Sequence, residues 1–146
     1  MSMIIEATSE QATRSIGEAI GRTLRGGEVF ELVGDVGAGK TTFAKGLAAG
    51  LGVSETVQSP SFTISQVYEA RDHLRLAHYD FYRLQDPGIM ADELNETVHD
   101  IKTVTVIEWA DTVGDVLPDG YYRIVLEATS DNGRTIIIPD EIGEKL

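Results

Sequence analysis

The segment Gly34–Thr41 carries the residues whose types and spacing point most directly to chemistry. It reads Gly-Asp-Val-Gly-Ala-Gly-Lys-Thr and fits G-x-x-x-x-G-K-[ST] at every fixed position. Glycines in this pattern let the backbone curl, so that its N–H groups converge on phosphate oxygens. Lys40 would then reach the terminal phosphates, and the Thr41 hydroxyl would bind Mg²⁺. The predicted nucleotide contacts in this region are Gly34, Asp35, Val36, Gly37, Ala38, Gly39, Lys40, Thr41 and Thr42.

The sequence on either side of the loop supplies the context that this pattern needs. Residues 29–33 are predicted as a strand and residues 42–51 as a helix. A helix that begins at the loop directs its positive end at the bound anion. From the composition of the chain, the four fixed positions would match by chance with a probability of roughly 0.6%. The loop is therefore predicted to bind phosphate.

Two acids follow predicted strands and could complete a magnesium site. Glu108 comes directly after the apolar run 104–107, and Asp80 ends the alternating stretch 74–80. A phosphate loop needs such an acid at the end of a neighbouring strand. Glu108 is favoured as the metal ligand, and Asp80 is the candidate for water activation or for an outer position around the metal. For each, an ordinary exposed or salt-bridged acid is the alternative.

The choice of nucleotide follows from motifs that the chain lacks. A GTPase should carry N-K-x-D, and no such motif is present. Residues 111–114 spell D-x-x-G, but they lie beyond the acid that ends the strand, so the match is interpreted as coincidence. ATP is therefore predicted over GTP. A small-metabolite kinase is disfavoured because arginines are scarce after residue 83 and no insertion long enough to form a lid is apparent.

Charge and composition limit the classes of function. The net charge is −12, and residues 85–119 alone carry nine acids and one base. A surface of this sign repels phosphate backbones, which argues against tight autonomous nucleic-acid binding. It suits a basic protein partner, or it only keeps the protein soluble. The absence of cysteine excludes disulfides and thiol catalysis. The sequence also shows no apolar run long enough for a membrane span and no visible secretory signal, so a cytoplasmic location is expected.

The remaining periodicities predict an α/β fold in one domain spanning residues 1–146. Thr8 and Gln11 have capping-box spacing ahead of an amphipathic helix over 9–25. A third helix is predicted over 86–98, with Pro87 in its first turn. Strands are predicted over 64–68, 74–82, 103–107, 122–126 and 135–138, with the last residues frayed. The run 103–107 shows almost no alternation, which is typical of a central strand buried on both faces.

Taken together, these motifs resemble the TsaE family, also called YjeE or YdiB, over nearly the whole chain. The segments that carry the resemblance are residues 10–13, 34–43, 59–63, 78–84, 86–87 and 107–109. It implies a phosphate-loop NTPase-like fold with a mixed, mainly parallel sheet and helices on both faces. It also implies a magnesium-dependent ATPase, not itself the carbamoyl transferase, that is needed to make threonylcarbamoyladenosine in tRNA.

The resemblance further assigns partners and individual residues. The implied partners are the proteins TsaD and TsaB, with tRNA engaged only through their complex, no membrane contact, and a monomeric free protein. Thr41 and Glu108 match the family's magnesium positions, and Asp80 matches its H-x-D acid. Residues 59–63 match a nucleotide-sensing switch loop. Three further matches lie beside the nucleotide: Thr13, Trp109 and, near the adenine, Arg134.

Some positions depart from the family pattern or keep an alternative. Ser61 stands where the family has threonine, so its exact role stays open, and Val36 stands where leucine is usual. Trp109 could instead be a core residue, and His78 is assigned no catalytic role. Because no arginine near the loop is an obvious catalytic finger, isolated hydrolysis is expected to be slow. The alternatives are an ATP-switched binding module with incidental hydrolysis and a small-metabolite kinase.

Overall fold

The computed structural model describes residues 1–35, 37–57, 65–82 and 88–146. The strands are β1 (Ser2–Ala7), β2 (Val29–Val33), β3 (Ser65–Glu69), β4 (Arg75–Asp80), β5 (Thr103–Glu108), β6 (Tyr122–Ala128) and β7 (Arg134–Pro139). The helices are α1 (Glu10–Thr23), α2 (Lys40–Gly50), α3 (Ile89–Val98) and α4 (Asp140–Gly143). Short 3₁₀ turns cover Arg71–His73 and Ala110–Val116. Val36, residues 58–64 and residues 83–87 lie outside the described residues, so the predicted switch loop and the start of the helix at Pro87 stay predictions.

The strands form one mixed sheet in the order β1-β7-β6-β2-β5-β4-β3. The four central strands β6, β2, β5 and β4 run parallel, and the outer pairings are antiparallel. The predicted α/β class with a mixed sheet is thereby confirmed. Parallel strands end at the same edge of a sheet, so the ends of β2, β5 and β4 lie side by side. Leu32 near the end of β2 pairs with Glu108, and Glu108 pairs with Asp80.

Helices cover both faces of the sheet, as predicted. On one face, α1 and α2 pack against alternate strand residues that include Phe30, Leu32 and Val106. On the other face, α3 and the 3₁₀ turn at 110–116 pack against residues that include Tyr79 and Ile107. Every residue of β5 is buried, which confirms the prediction of a strand enclosed on both sides.

Helices α1 and α2 lie parallel and unusually close together. Facing glycines permit this approach, since an added Cβ at Gly46 would come within 2.1 Å of the Arg14 carbonyl oxygen, and one at Gly21 within 2.3 Å of the Leu47 carbonyl oxygen. Real Cβ atoms essentially never come this close to backbone atoms. The two helices therefore pack tightly along their length, with the N-termini of both at the same end.

The Arg71 guanidinium joins the opposite ends of these two helices. Its Nη1 donates to the carbonyls of Gly21 and Gly50, and its Nη2 donates to those of Arg22 and Leu24. Carbonyls in the last turn of a helix have no partner within the helix. Arg71 supplies partners to α1 and α2 together.

The structure corrects two predictions about the ends of elements and adds one strand. Ser9, not Thr8, caps α1, because its hydroxyl accepts the Ala12 N–H at 3.0 Å. The first residues form an edge strand, which the sequence interpretation missed. The last residues are not all frayed, since α4 forms there and buries Ile142. Across the described part of the chain, no helix has both the length and the apolar character needed to cross a membrane.

Candidate functional site

The glycine loop has the backbone conformations that its sequence predicts. Gly37 and Gly39 have positive φ angles of 84° and 98°, a region that side chains with a Cβ rarely adopt. Gly34 has no space for a side chain, because a Cβ there would lie 2.6 Å from the Leu126 carbonyl oxygen. Gly39 is the N-cap of α2, which begins at Lys40, so the helix N-terminus follows the loop directly. The predicted contact Val36 lies outside the described residues.

A cavity of about 210 Å³ opens in front of this loop. It is lined by Glu10, Thr13, Gly37, Gly39, Lys40, Thr41, Thr42, Asn132 and Arg134. Seven of these nine residues were predicted as nucleotide contacts, either from the loop motif or from the family resemblance. Glu10 and Asn132 were missed, because they reach the cavity from α1 and from the turn between β6 and β7, and no local motif marks them.

Lys40, the first residue of α2, is 6% exposed and lies among acids and an aromatic ring. Its Nζ is 3.8 Å from the centroid of the Trp109 ring. Burial lowers the pKa of Lys40, and the negative charges of Glu108, Asp80 and Asp35, in that order, oppose the shift. The predicted phosphate lysine and both predicted acids therefore share one site.

The two acids lie at the ends of adjacent strands and are both buried. Asp80 and Glu108 are register partners, and the backbone N–H of Tyr82 donates to Asp80 Oδ1 at 2.9 Å. Together with the Thr41 hydroxyl at the first turn of α2, they form a set of oxygen donors of the type that Mg²⁺ prefers.

The same donor set does not make a self-contained metal site. Within residues 1–35, 37–57, 65–82 and 88–146, no three His, Cys, Asp or Glu side chains come together as one. Magnesium at phosphate loops keeps several waters and binds the substrate phosphates besides one or two protein groups. The residues present therefore fit a magnesium ion that arrives with a nucleotide.

His78 contacts Glu108, one of these two acids, although the sequence interpretation assigned it no catalytic role. Its Nε2 lies 2.6 Å from Glu108 Oε2. The alternation along β4 could have indicated this contact, because residues two apart on a strand share a face, and His78 therefore shares one with Asp80.

Arg134, predicted from the resemblance to lie near the adenine, contacts the phosphate loop. Its Nη2 donates to the Gly37 carbonyl at 3.0 Å, and its Nη1 donates to the Gly133 carbonyl at 2.7 Å. A Cβ at Gly39 would lie 3.3 Å from Arg134 Nε. The arginine is thus placed against the phosphate loop itself, but backbone carbonyls occupy both of its terminal nitrogens.

Thr13 lies where a hydroxyl could serve a ligand. It is 1% exposed, lines the cavity, and its Oγ1 has no hydrogen-bond partner among the described residues. A buried hydroxyl without a partner is costly unless something else satisfies it. The position is consistent with the nucleotide contact predicted from the resemblance.

Trp109 is part of this site and is not solely a core residue. It is partly buried and adopts a left-handed backbone conformation with φ of 58°. One neighbour of its ring is the Lys40 ammonium, and another is the Tyr82 ring, with centroids 4.7 Å apart.

This placement makes Trp109 a fluorescence reporter, since the chain has no other tryptophan. We expect ATP or ADP to change its emission, because phosphate bound by Lys40 alters the charge beside the ring. GTP at equal concentration should change it only weakly. The measurement is a titration of intrinsic fluorescence alongside calorimetry. An unchanged emission with a nucleotide that calorimetry shows to bind would contradict the prediction, and a preference for GTP would overturn the choice of adenine.

Comparisons with known proteins give a consistent result. The family model described as "Threonylcarbamoyl adenosine biosynthesis protein TsaE" matches residues 7–136. The tRNA threonylcarbamoyladenosine biosynthesis protein TsaE of Treponema pallidum is 41% identical over 89% of this chain and 95% of its own. The Bacillus subtilis protein of the same name is 38% identical over 86% of this chain and 78% of its own. The crystal structure of Bacillus subtilis YdiB matches with a TM-score of 0.78 and 31% identity, over 99% of this chain and 91% of the other.

Proposed function

We propose that this chain, which belongs to the TsaE family and acts in tRNA threonylcarbamoyladenosine biosynthesis, is a magnesium-dependent ATPase. The observation that carries the proposal is the meeting of three groups at one edge of the sheet. The phosphate-loop Lys40 lies with the two strand-end carboxylates of Asp80 and Glu108, beside a cavity lined by the loop.

Each residue has a part in this proposal that follows from its position. Loop N–H groups and the Lys40 ammonium hold and neutralise the phosphates, which is the main contribution a protein makes to phosphoryl transfer. Thr41 and Glu108 would hold the metal, and Asp80 would orient the attacking water. Bound Mg²⁺ would supply charge neutralisation at the transferred phosphate. The unpartnered Thr13 hydroxyl would contact the nucleotide from the α1 side.

We propose that ATP is the nucleotide and that partner proteins complete the site. The absence of N-K-x-D argues against guanine. Both terminal nitrogens of Arg134 already donate to backbone carbonyls of the loop and of the turn at residues 130–133, so this arginine holds these two segments together and is not an obvious catalytic finger. Hydrolysis by the isolated protein is therefore expected to be slow. Following the family resemblance, the partners are TsaD and TsaB, with tRNA engaged through them.

The rate of ATP hydrolysis with and without these partners tests the proposal. We expect slow release of phosphate by the chain alone and stimulation by about tenfold or more when TsaD and TsaB are added, because a completed site stabilises the transferred phosphate. Asp80→Asn serves as the control, since it should abolish the stimulated rate. ATP-dependent docking without stimulation would favour a binding module, and transfer of phosphate to a metabolite would favour a kinase.

Charge reversal on α3 tests which surface meets the partners. Asp92 and Glu96 are exposed on that helix, within the most acidic part of the chain. Asp92→Lys with Glu96→Lys should slow association with TsaD–TsaB by about tenfold at low salt and flatten its salt dependence. Binding is measured by surface plasmon resonance over a salt series, with ATP, ADP or no nucleotide, and ATP is expected to favour docking.

A matched control separates this surface from net charge. Glu141→Lys with Glu144→Lys makes the same change in total charge on exposed residues of the C-terminal region. If both double variants lose association rate equally, or if neither does, α3 does not face the partners. Equal docking in all three nucleotide states would contradict an ATP switch.

A further inference from the structure

We propose that His78 is the positioning residue of the metal site, holding the Glu108 carboxylate in one orientation through a hydrogen bond from its Nε2 to Glu108 Oε2. The inference rests on the proposed function in one respect, namely that Glu108 is a ligand of the magnesium ion. It extends that function to a residue to which neither the sequence motif nor the family resemblance gives a role.

The geometry of the pair carries the proposal. The two atoms are 2.6 Å apart, which is short for a hydrogen bond between a ring nitrogen and a carboxylate. His78 is 1% exposed and Glu108 is 3% exposed, so solvent does not compete for the contact. His78 pairs in register with Val106, two residues before Glu108 on the neighbouring strand, and this offset lets the two side chains meet on one face.

The other ring nitrogen indicates where the proton lies. His78 Nδ1 is buried and has no hydrogen-bond partner among the described residues. A proton placed there would be an unsatisfied buried donor, and Nε2 would then present a bare lone pair to a carboxylate oxygen. The arrangement that satisfies both partners has the proton on Nε2, donated to Glu108.

Because of this hydrogen bond, the two carboxylate oxygens of Glu108 have different partners. Oε2 is engaged by His78, and Oε1 is left as the oxygen that can face a metal. Without the donor, Glu108 would have additional rotamers beside the charged Lys40. Partners that orient a metal ligand in this way are worth about 10- to 100-fold in metal affinity.

Two variants of His78 separate a positioning role from simple packing. His78→Leu fills the space and removes the donor, whereas His78→Gln keeps an N–H at a similar reach. The probe is Mn²⁺ in the presence of saturating ADP, with free metal measured by electron paramagnetic resonance. We expect His78→Leu to weaken Mn²⁺ binding by about 10- to 100-fold and His78→Gln to stay within about threefold of the parent. ADP affinity measured in EDTA should be unchanged in both.

Thr105→Val, on the strand β5 that carries Glu108, is the control for general disturbance of the sheet beside the site. Its hydroxyl is buried on β5 without a hydrogen-bond partner, so valine should be tolerated and metal affinity should not change. Unaltered Mn²⁺ affinity in His78→Leu would overturn the proposal. It would also be overturned if His78→Gln lost as much affinity as His78→Leu while EDTA-measured ADP affinity and thermal stability stayed at the parent values.

A measurement on the unmodified protein covers the case in which a variant fails to fold. Long-range ¹H–¹⁵N spectra of the metal-free protein should show His78 with its proton on Nε2, and a bare Nε2 would overturn the proposal. Failure of the proposed function can be distinguished from failure of this inference. If the proposed function is wrong, Glu108→Gln will leave Mn²⁺ affinity unchanged, or ATP will not be hydrolysed. The spectra report the protonation of His78 Nε2 independently of both results.

Discussion

Replacing Lys40 with methionine is expected to weaken ATP binding by about a hundredfold or more. The ammonium is buried at the first residue of α2, beside the cavity, and methionine keeps most of the stem while removing the charge. A charged hydrogen bond contributes about 1.5–3 kcal/mol, and this side chain is expected to make two such bonds to neighbouring phosphates. Isothermal calorimetry with ATP and Mg²⁺ measures the loss.

Lys45→Met on the same helix is the matched control. Lys45 lies five residues further along, away from the cavity at the loop, so its replacement should leave ATP affinity within about twofold of the parent. Retention of affinity by Lys40→Met would contradict the phosphate-loop interpretation. A comparable loss in both variants would show that the effect comes from general charge and not from the position of Lys40.

The second large effect is expected at the contact between α1 and α2. Gly46→Ala should lower the free energy of unfolding by about 3 kcal/mol, because its Cβ would lie 2.1 Å from the Arg14 carbonyl oxygen and the helices would have to separate. Alanine is the better helix former by about 1 kcal/mol, so an exposed site would show the opposite sign. Urea denaturation followed by circular dichroism measures the difference.

Gly114→Ala provides the comparison at an open position. Nothing lies within 4 Å of a Cβ built there, and Gly114 does not have a positive φ angle. Its replacement should change stability by no more than about 0.5 kcal/mol. If Gly46→Ala were as stable as Gly114→Ala, the close approach of the two helices would be wrong.

The sequence predicted the features of the site that are encoded locally. The glycine loop, its lysine and the acids at strand ends follow from spacing within a few residues, and parallel pairing then brings Asp80 next to Glu108. The buried strand β5 was recognisable because it lacks alternation. These features depend on short stretches of chain, whose physical requirements appear directly in the residue types.

Features that depend on distant parts of the chain were not predictable in the same way. Strand β1 is mostly exposed and shows no alternation, and it exists because β7, more than a hundred residues later, provides its partner. Arg134 reaches the loop only because β6 and β7 fold back beside β2. Helix α4 spans four residues, too few to show a period. In each case the interaction that decides the structure joins residues far apart in sequence.

The parallel alignment of α1 and α2 has an electrostatic consequence for an acidic protein. Each helix carries about half a positive charge at its N-terminus and half a negative charge at its C-terminus. In two parallel helices that lie side by side, like charges are therefore neighbours at both ends and repel each other. Arg71 places one positive charge on the two negative ends and offsets them, while the two positive ends stay together at the cavity. At physiological salt, charges more than about 8 Å away are largely screened. A polyphosphate at the cavity therefore experiences the helix ends and Lys40 far more strongly than the total charge of −12.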